Sequence, residues 1–183
     1  MMILLTAFFW EFVQNLPVVV GFGLAVWYWA HGQKLYAGAV SVAGGLTGAL
    51  VIRYTEALLI GQPFMEPWSV TVVNAVGVAL LLVLFAAYLG SEGRWSNRRM
   101  DAALGALAGA GFALAQGLAA PGAPVMGVVL QSVALALAAA AVLVMMRRLK
   151  AQSFKAALGH AVLATLVMTA IITVIGYSYL VVS

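Results

Sequence analysis

The sequence contains no cysteine. That absence removes disulfides, thiolate metal sites and cysteine nucleophiles together, and it leaves the redox compartment open. Charge is almost as scarce: 8% of the 183 residues are Asp, Glu, Lys or Arg, where a soluble domain carries about a quarter. So few charges cannot cover a surface that faces water, which leaves lipid as the solvent for most of this one. No polar stretch is long enough for a soluble module. The signatures G-x-S-x-G, H-E-x-x-H and the Walker loop are missing, as are paired acids near a histidine. The amino terminus also lacks the basic run that opens a signal peptide, its apolar run is too long for one, and Glu11, Gln14 and Asn15 interrupt it. It reads as a retained first span.

What is present is apolar: 65% of the chain. Six segments can be drawn, Met2–Trp29, Leu35–Ile60, Trp68–Leu89, Ala102–Ala119, Val125–Met146 and Ala157–Val182. About 20 helical residues at 1.5 Å each cross a hydrocarbon core of roughly 30 Å, so each segment is long enough to span. The fourth, short and rich in Ala and Gly, is the weakest. The connections are Ala30–Lys34, Gly61–Pro67, Gly90–Asp101, Pro121–Pro124 and Arg147–Lys155, short enough to make neighbouring helices antiparallel. Pro63, Pro67, Pro121 and Pro124 mark turns that helix cannot cross. The expectation is one all-α domain over residues 1–183, a polytopic bundle of six transmembrane helices.

Basic residues orient it. Lys34, then Arg94, Arg98 and Arg99, then Arg147, Arg148, Lys150 and Lys155 fall in the first, third and fifth connections; these are eight of the nine Lys and Arg. The ninth, Arg53, lies inside the second span. The positive-inside rule puts those three connections in the cytoplasm and both termini outside, in a cell (inner) membrane. The net charge of +4 therefore reads as membrane orientation, with no support for nucleic-acid binding.

Counting from the helix ends places polar residues of five spans in the outer half: Glu11, Gln14 and Asn15 on one face of the first, Arg53 and Glu56 near the outer end of the second, Asn74 on the third, Gln116 on the fourth and Gln131 on the fifth. An ionisable residue in a span is costly unless paired or hydrated, and so suggests a function. Glu11 is the deepest acid, and Arg53 is the partner expected for it. Together they suggest a polar pocket open to the outside. The alternatives are structural. Arg53 and Glu56 can snorkel to the interface and pair one turn apart, and amides can bond between helices for about 0.6 kcal/mol each. His160, one turn into the last span from the cytoplasmic side, is a proton-relay candidate or a satisfied packing residue. His31 carries no signal, and two histidines at opposite ends of the chain make no metal site. Thr165, Thr169, Thr173 and Tyr177 form a stripe on the last span. Its hydroxyls line a path or bond their own carbonyls one turn back, the latter being expected. Gly44–Gly48 and Gly105–Gly109 have the spacing of close helix packing. Pro17 should free a carbonyl near Asn15.

Asp101-Ala-Ala-Leu-Gly105 and Gly109-Ala-Gly-Phe-Ala-Leu-Ala-Gln116, with Gly159-His160-Ala further on, resemble the motifs of PrsW-type intramembrane proteases, over roughly residues 74–180. The family's first acidic pair falls near Asn74-Ala75 and its later glutamate on Gln116, so the resemblance implies a member without protease activity. Size and span count are also similar to the substrate-binding subunits of energy-coupling-factor vitamin transporters, although those have cytoplasmic termini. The reading that results is small-solute or ion binding or transport without a cofactor, alone, as a homo-oligomer or with partner membrane subunits. A non-catalytic subunit of a larger complex is the alternative.

Overall fold

The computed structural model describes residues 2–60, 68–91, 97–119 and 124–177, and within them there are helices and turns but no strand. The helices are α1 (Met2–Ala30), α2 (Lys34–Ile60), α3 (Trp68–Gly90), α4 (Arg98–Ala119), α5 (Val125–Met146) and α6 (Phe154–Ile171). A 3₁₀ turn, Arg147–Ala151, follows α5, and a π-helical turn, Ile172–Gly176, follows α6. Five of these helices are long and apolar enough to cross a membrane: α1, α2, α3, α5 with its 3₁₀ turn, and α6 with its π turn. Their outward faces agree with that, since Val73, Leu80 and Leu84 of α3 are each more than half exposed. Soluble monomers rarely leave apolar surface so continuous. The chain is a membrane protein. α4 is the least apolar helix and stands outside that group of five.

Local chemistry sets the helix ends. Gly32, at φ 76°, follows α1, and the amides of Gly32 and Gln33 bond the carbonyls of Trp29 at 3.0 Å and Tyr28 at 2.9 Å. This is a Schellman cap, which needs a left-handed residue where Gly stands. α4 begins earlier than the apolar pattern suggests, because the Asn97 side chain accepts from the Met100 amide at 2.9 Å and caps a turn that includes Arg98, Arg99 and Asp101. Ser153 caps α6 in the same way, accepting from Ala156 at 3.4 Å. Pro17 sits inside α1 without ending it.

α1 is central and packs against α2, α3 and α6; α5 lies against α6, and α4 packs chiefly on α5. Both glycine pairs sit at contacts. A Cβ on Gly44 would lie 3.0 Å from the Pro17 carbonyl oxygen of α1 and one on Gly48 2.3 Å from Val18, while one on Gly109 would lie 2.1 Å from the Leu135 carbonyl oxygen of α5. At Gly44 and Gly109, where the near atoms are backbone, only glycine lets the helices come so close. The apolar core has Phe22, Ala25 and Val26 from α1, Leu82, Ala86 and Leu89 from α3, Leu143 and Met146 from α5, Leu149 after it, and Ala157 and Ala161 from α6. These are the late turns of α1, α3 and α5 and the early turns of α6. The core therefore fills the end of the bundle that carries the basic connections, here called the basic end, and leaves the opposite end to polar side chains.

Candidate functional site

At the opposite end the polar side chains divide among three helix contacts. Between α1 and the segment after α6, the Tyr177 hydroxyl donates to Glu11 Oε1 at 2.7 Å, and Asn15 Nδ2 donates to Glu11 Oε2 at 3.0 Å and to its carbonyl at 2.8 Å. Between α1 and α2, Gln14 Nε2 donates to Thr55 Oγ1 at 2.6 Å. Between α2 and α3, Arg53 Nη1 donates to Thr71 Oγ1 at 2.5 Å, and the guanidinium lies 4.3 Å from the Trp68 ring centroid. Arg53 is buried, so it does not extend freely to the interface.

The partners expected of one another, Glu11 and Arg53, thus have separate described contacts. Gln131 on α5 lies against the π turn, with its amide 3.4 Å from the Gly176 carbonyl oxygen. Asn74 is exposed on α3. The side chains of Glu56 and Gln116 lie outside the described residues. His160 is half-buried, its Nδ1 3.3 Å from the carbonyl of Ala156 in its own helix, apart from all these groups.

The threonine stripe is buried along α6, and its three hydroxyls behave differently. Thr165 donates to the Ala161 carbonyl at 2.9 Å, the expected bond one turn back. Thr169 and Thr173 do not follow it: each hydroxyl is buried with no hydrogen-bond partner among the described residues. Thr169 stands just before the π turn and Thr173 within it, an irregularity frequent at functional sites. In a span, where water is absent, an orphan hydroxyl is an exception that calls for a reason.

The basic end holds a group that spacing did not reveal. Asp101, fully buried in the first turn of α4, receives two bonds from the Arg147 guanidinium, one from Nε to Oδ2 and one from Nη2 to Oδ1. The Tyr88 hydroxyl, from the end of α3, stands beside both. An acid at a helix start and a cation at a helix end each suit the local dipole. By hydropathy Asp101 and Arg147 are connection residues, and Arg147 is one of the orienting charges. The signal was in the glycine register: Gly109 meets Leu135 and Gly105 meets Ala139, and one more turn brings Asp101 within reach of a long side chain just past α5. Nearby, Trp27 Nε1 donates to the Gln152 carbonyl at 2.9 Å and Lys150 Nζ to the Ser91 carbonyl at 3.1 Å. Together these contacts tie the ends of α1, α3 and α5 with polar bonds.

Comparisons of the chain with known families, with curated proteins and with solved structures found no match.

Proposed function

We propose that this protein is a six-span cell-membrane protein, with both termini on the outer face, that binds a small solute or ion from that face and carries it across. The count of six draws on the Asp101–Arg147 pair. The charges that lower the apolarity of α4 are grouped at its start, and Asp101 among them is neutralised by Arg147. Apart from Gln116, the rest of α4 is Ala, Gly, Leu and Phe, with Gly105 and Gly109 set closely against α5. The orientation draws on the first, third and fifth connections, which in the sequence hold eight of the nine Lys and Arg.

The observation that carries the functional reading is Glu11. Its described donors, Asn15 and Tyr177, are both neutral. A carboxylate in a span costs several kcal/mol unless a positive charge or water compensates it. A group in that position is suited to binding something that arrives. Reconstituted in vesicles, the protein should lose flux of its solute on Glu11→Gln while keeping its fold; flux that survives the change removes the reading. Because the chain has no cysteine, orientation is open to direct labelling. A thiol at His31→Cys should react only from the cytosol and one at Val125→Cys only from outside.

A second reading, a non-catalytic subunit of a membrane complex or a homo-oligomer, draws on α2. There Gly38, Ala39, Val42, Ala43 and Leu46 line a shallow open groove below Lys34, and small residues on such a face admit another helix. Purification in mild detergent with a fixed partner, together with tolerance of Glu11→Gln, would favour it.

A further inference from the structure

We infer that α3 is the face through which two copies of this chain associate in the membrane, with the Asn74 amide of one copy hydrogen-bonded to the partner's Asn74. The inference is independent of the reading of Glu11, and it uses a different face from the α2 groove.

Asn74, Gly77, Leu81 and Leu84 follow one another at steps of three, four and three, the spacing of a and d positions along a coiled-coil seam. All four are exposed, Leu81 at 49% and Leu84 at 65%. The opposite face of α3, with Ala75, Ala79, Leu82 and Ala86, is buried against the bundle. Although α4 follows α3 in the chain, it packs chiefly on α5 and leaves this seam uncovered. Tyr88, the next position in the series, is drawn in beside Asp101. The exposed seam therefore stops short of the basic end.

Two residues of the seam select the occupant. Asn74 lies about 5 Å inside the segment Thr71–Gly90, which is able to span, and its amide has no hydrogen-bond partner among the described residues. A carboxamide carries both donor and acceptor, so it is complementary to itself. Copies inserted in one orientation place the same residue at the same depth, and a two-fold axis along the membrane normal makes their α3 helices parallel. Asn74 then meets the partner's Asn74, the arrangement in which a lone a-position Asn fixes register and oligomeric state. Gly77 is the second residue. Nothing stands within 4 Å of where its Cβ would be, and a helix interior disfavours glycine, so no contact within the chain calls for it. Beside a second α3 it is the small residue that lets two helix backbones approach. An acyl chain would leave the amide unbonded, and a different subunit would need its own donor and acceptor at that depth.

The test is disulfide cross-linking of the full-length chain in liposomes, for which the cysteine-free sequence supplies the background. Leu81→Cys and Leu84→Cys should each form cross-linked dimers under mild oxidation. Val72→Cys and Val76→Cys, at the other edge of the exposed side of α3, and Val42→Cys in the α2 groove should not. Energy transfer between labelled copies, followed as lipid dilutes them, then gives the affinity. Asn74→Leu should weaken dimerisation about tenfold, the loss of two interhelical hydrogen bonds, and Asn74→Gln should keep most of it. Gly77→Ile should weaken it as well. Both positions face outward, so these variants should melt like the parent, and Glu11→Gln should leave the affinity unchanged. Cross-links at Val42→Cys with none on α3 move the interface to α2 and overturn the inference. A cross-link from Leu81→Cys to a different protein in native membranes, with none between copies, overturns it too. So does a parent chain that stays monomeric at high protein-to-lipid ratio. Dimerisation unchanged in both Asn74→Leu and Gly77→Ile removes the seam.

Discussion

At the basic end of the bundle a buried carboxylate, Asp101, meets a guanidinium, whereas at the opposite end the described donors to Glu11 are an amide and a phenol. The surroundings differ in the same sense. Asp101 lies beside a continuous apolar core, with its partner held at the end of α5. Glu11 lies among side chains divided over three helix contacts. The one described charge of opposite sign at that end, Arg53, is engaged between α2 and α3 by Thr71 and Trp68. A closed ion pair resists exchange because either ion alone is stranded by the loss of the other. A carboxylate with neutral donors keeps capacity for a cation. The comparison thus separates an end built to stay shut from an end able to take something up.

The comparison breaks most visibly at Asp101. Asp101→Ala should cost about 3–5 kcal/mol, because it strands a partly buried guanidinium in lipid or protein. Replacing both partners, Asp101→Leu with Arg147→Met, should recover most of that loss, since well-packed apolar residues often replace a buried pair at no cost. Unfolding in mild detergent measures both. A double variant as unstable as the single one would mean that the pair does more than neutralise itself. Next in size is Gly109→Val. Its Cβ would collide with the Leu135 carbonyl, and separating α4 from α5 should cost about 1–3 kcal/mol, as overpacking does elsewhere.

At the opposite end the effect should move from stability to function. Glu11→Gln keeps an oxygen for Tyr177 and removes a charge without a described counter-ion, so it should lower stability by no more than about 1 kcal/mol, the range of a single hydrogen bond. A large loss of stability there would mean that Glu11 is a structural anchor like Asp101, and the contrast between the ends would disappear.

Much of this architecture could be read from composition and periodicity. The starts and ends of α2, α3 and α5 fall within a residue of the apolar segments, because in lipid the change from apolar to polar residues is the boundary itself. The two glycine pairs were legible for a similar reason, as few other patterns bring helices so close. What stayed hidden depends on rotation and side-chain reach. Counting from helix ends gives the level of Glu11 and of Arg53 but not the side of the helix each uses, and they turned to different neighbours. Asp101 and Arg147 look like connection residues to a hydropathy reading, since charge ends an apolar run whether or not it is neutralised in space. Thr169 and Thr173 have the same spacing as Thr165, and no pattern in the sequence marks where the helix widens into a π turn.

The smallest expected effect concerns the two caps that face the basic end. Asn97 accepts from Met100 at 2.9 Å and Ser153 from Ala156 at 3.4 Å, so the first bond is the better one. The helices also differ in support: α6 is held by α1 and α5, while α4 has chiefly α5. Loss of a cap typically costs about 1 kcal/mol. Asn97→Ala should reach that value, and Ser153→Ala about half of it, both read from unfolding in detergent. Because Asn97 also starts the turn that presents Asp101, its loss should be smaller once Asp101→Leu and Arg147→Met are in place. Equal costs in the two backgrounds would show that the first turn of α4 is fixed by packing on α5 alone, and that the cap and the ion pair act independently.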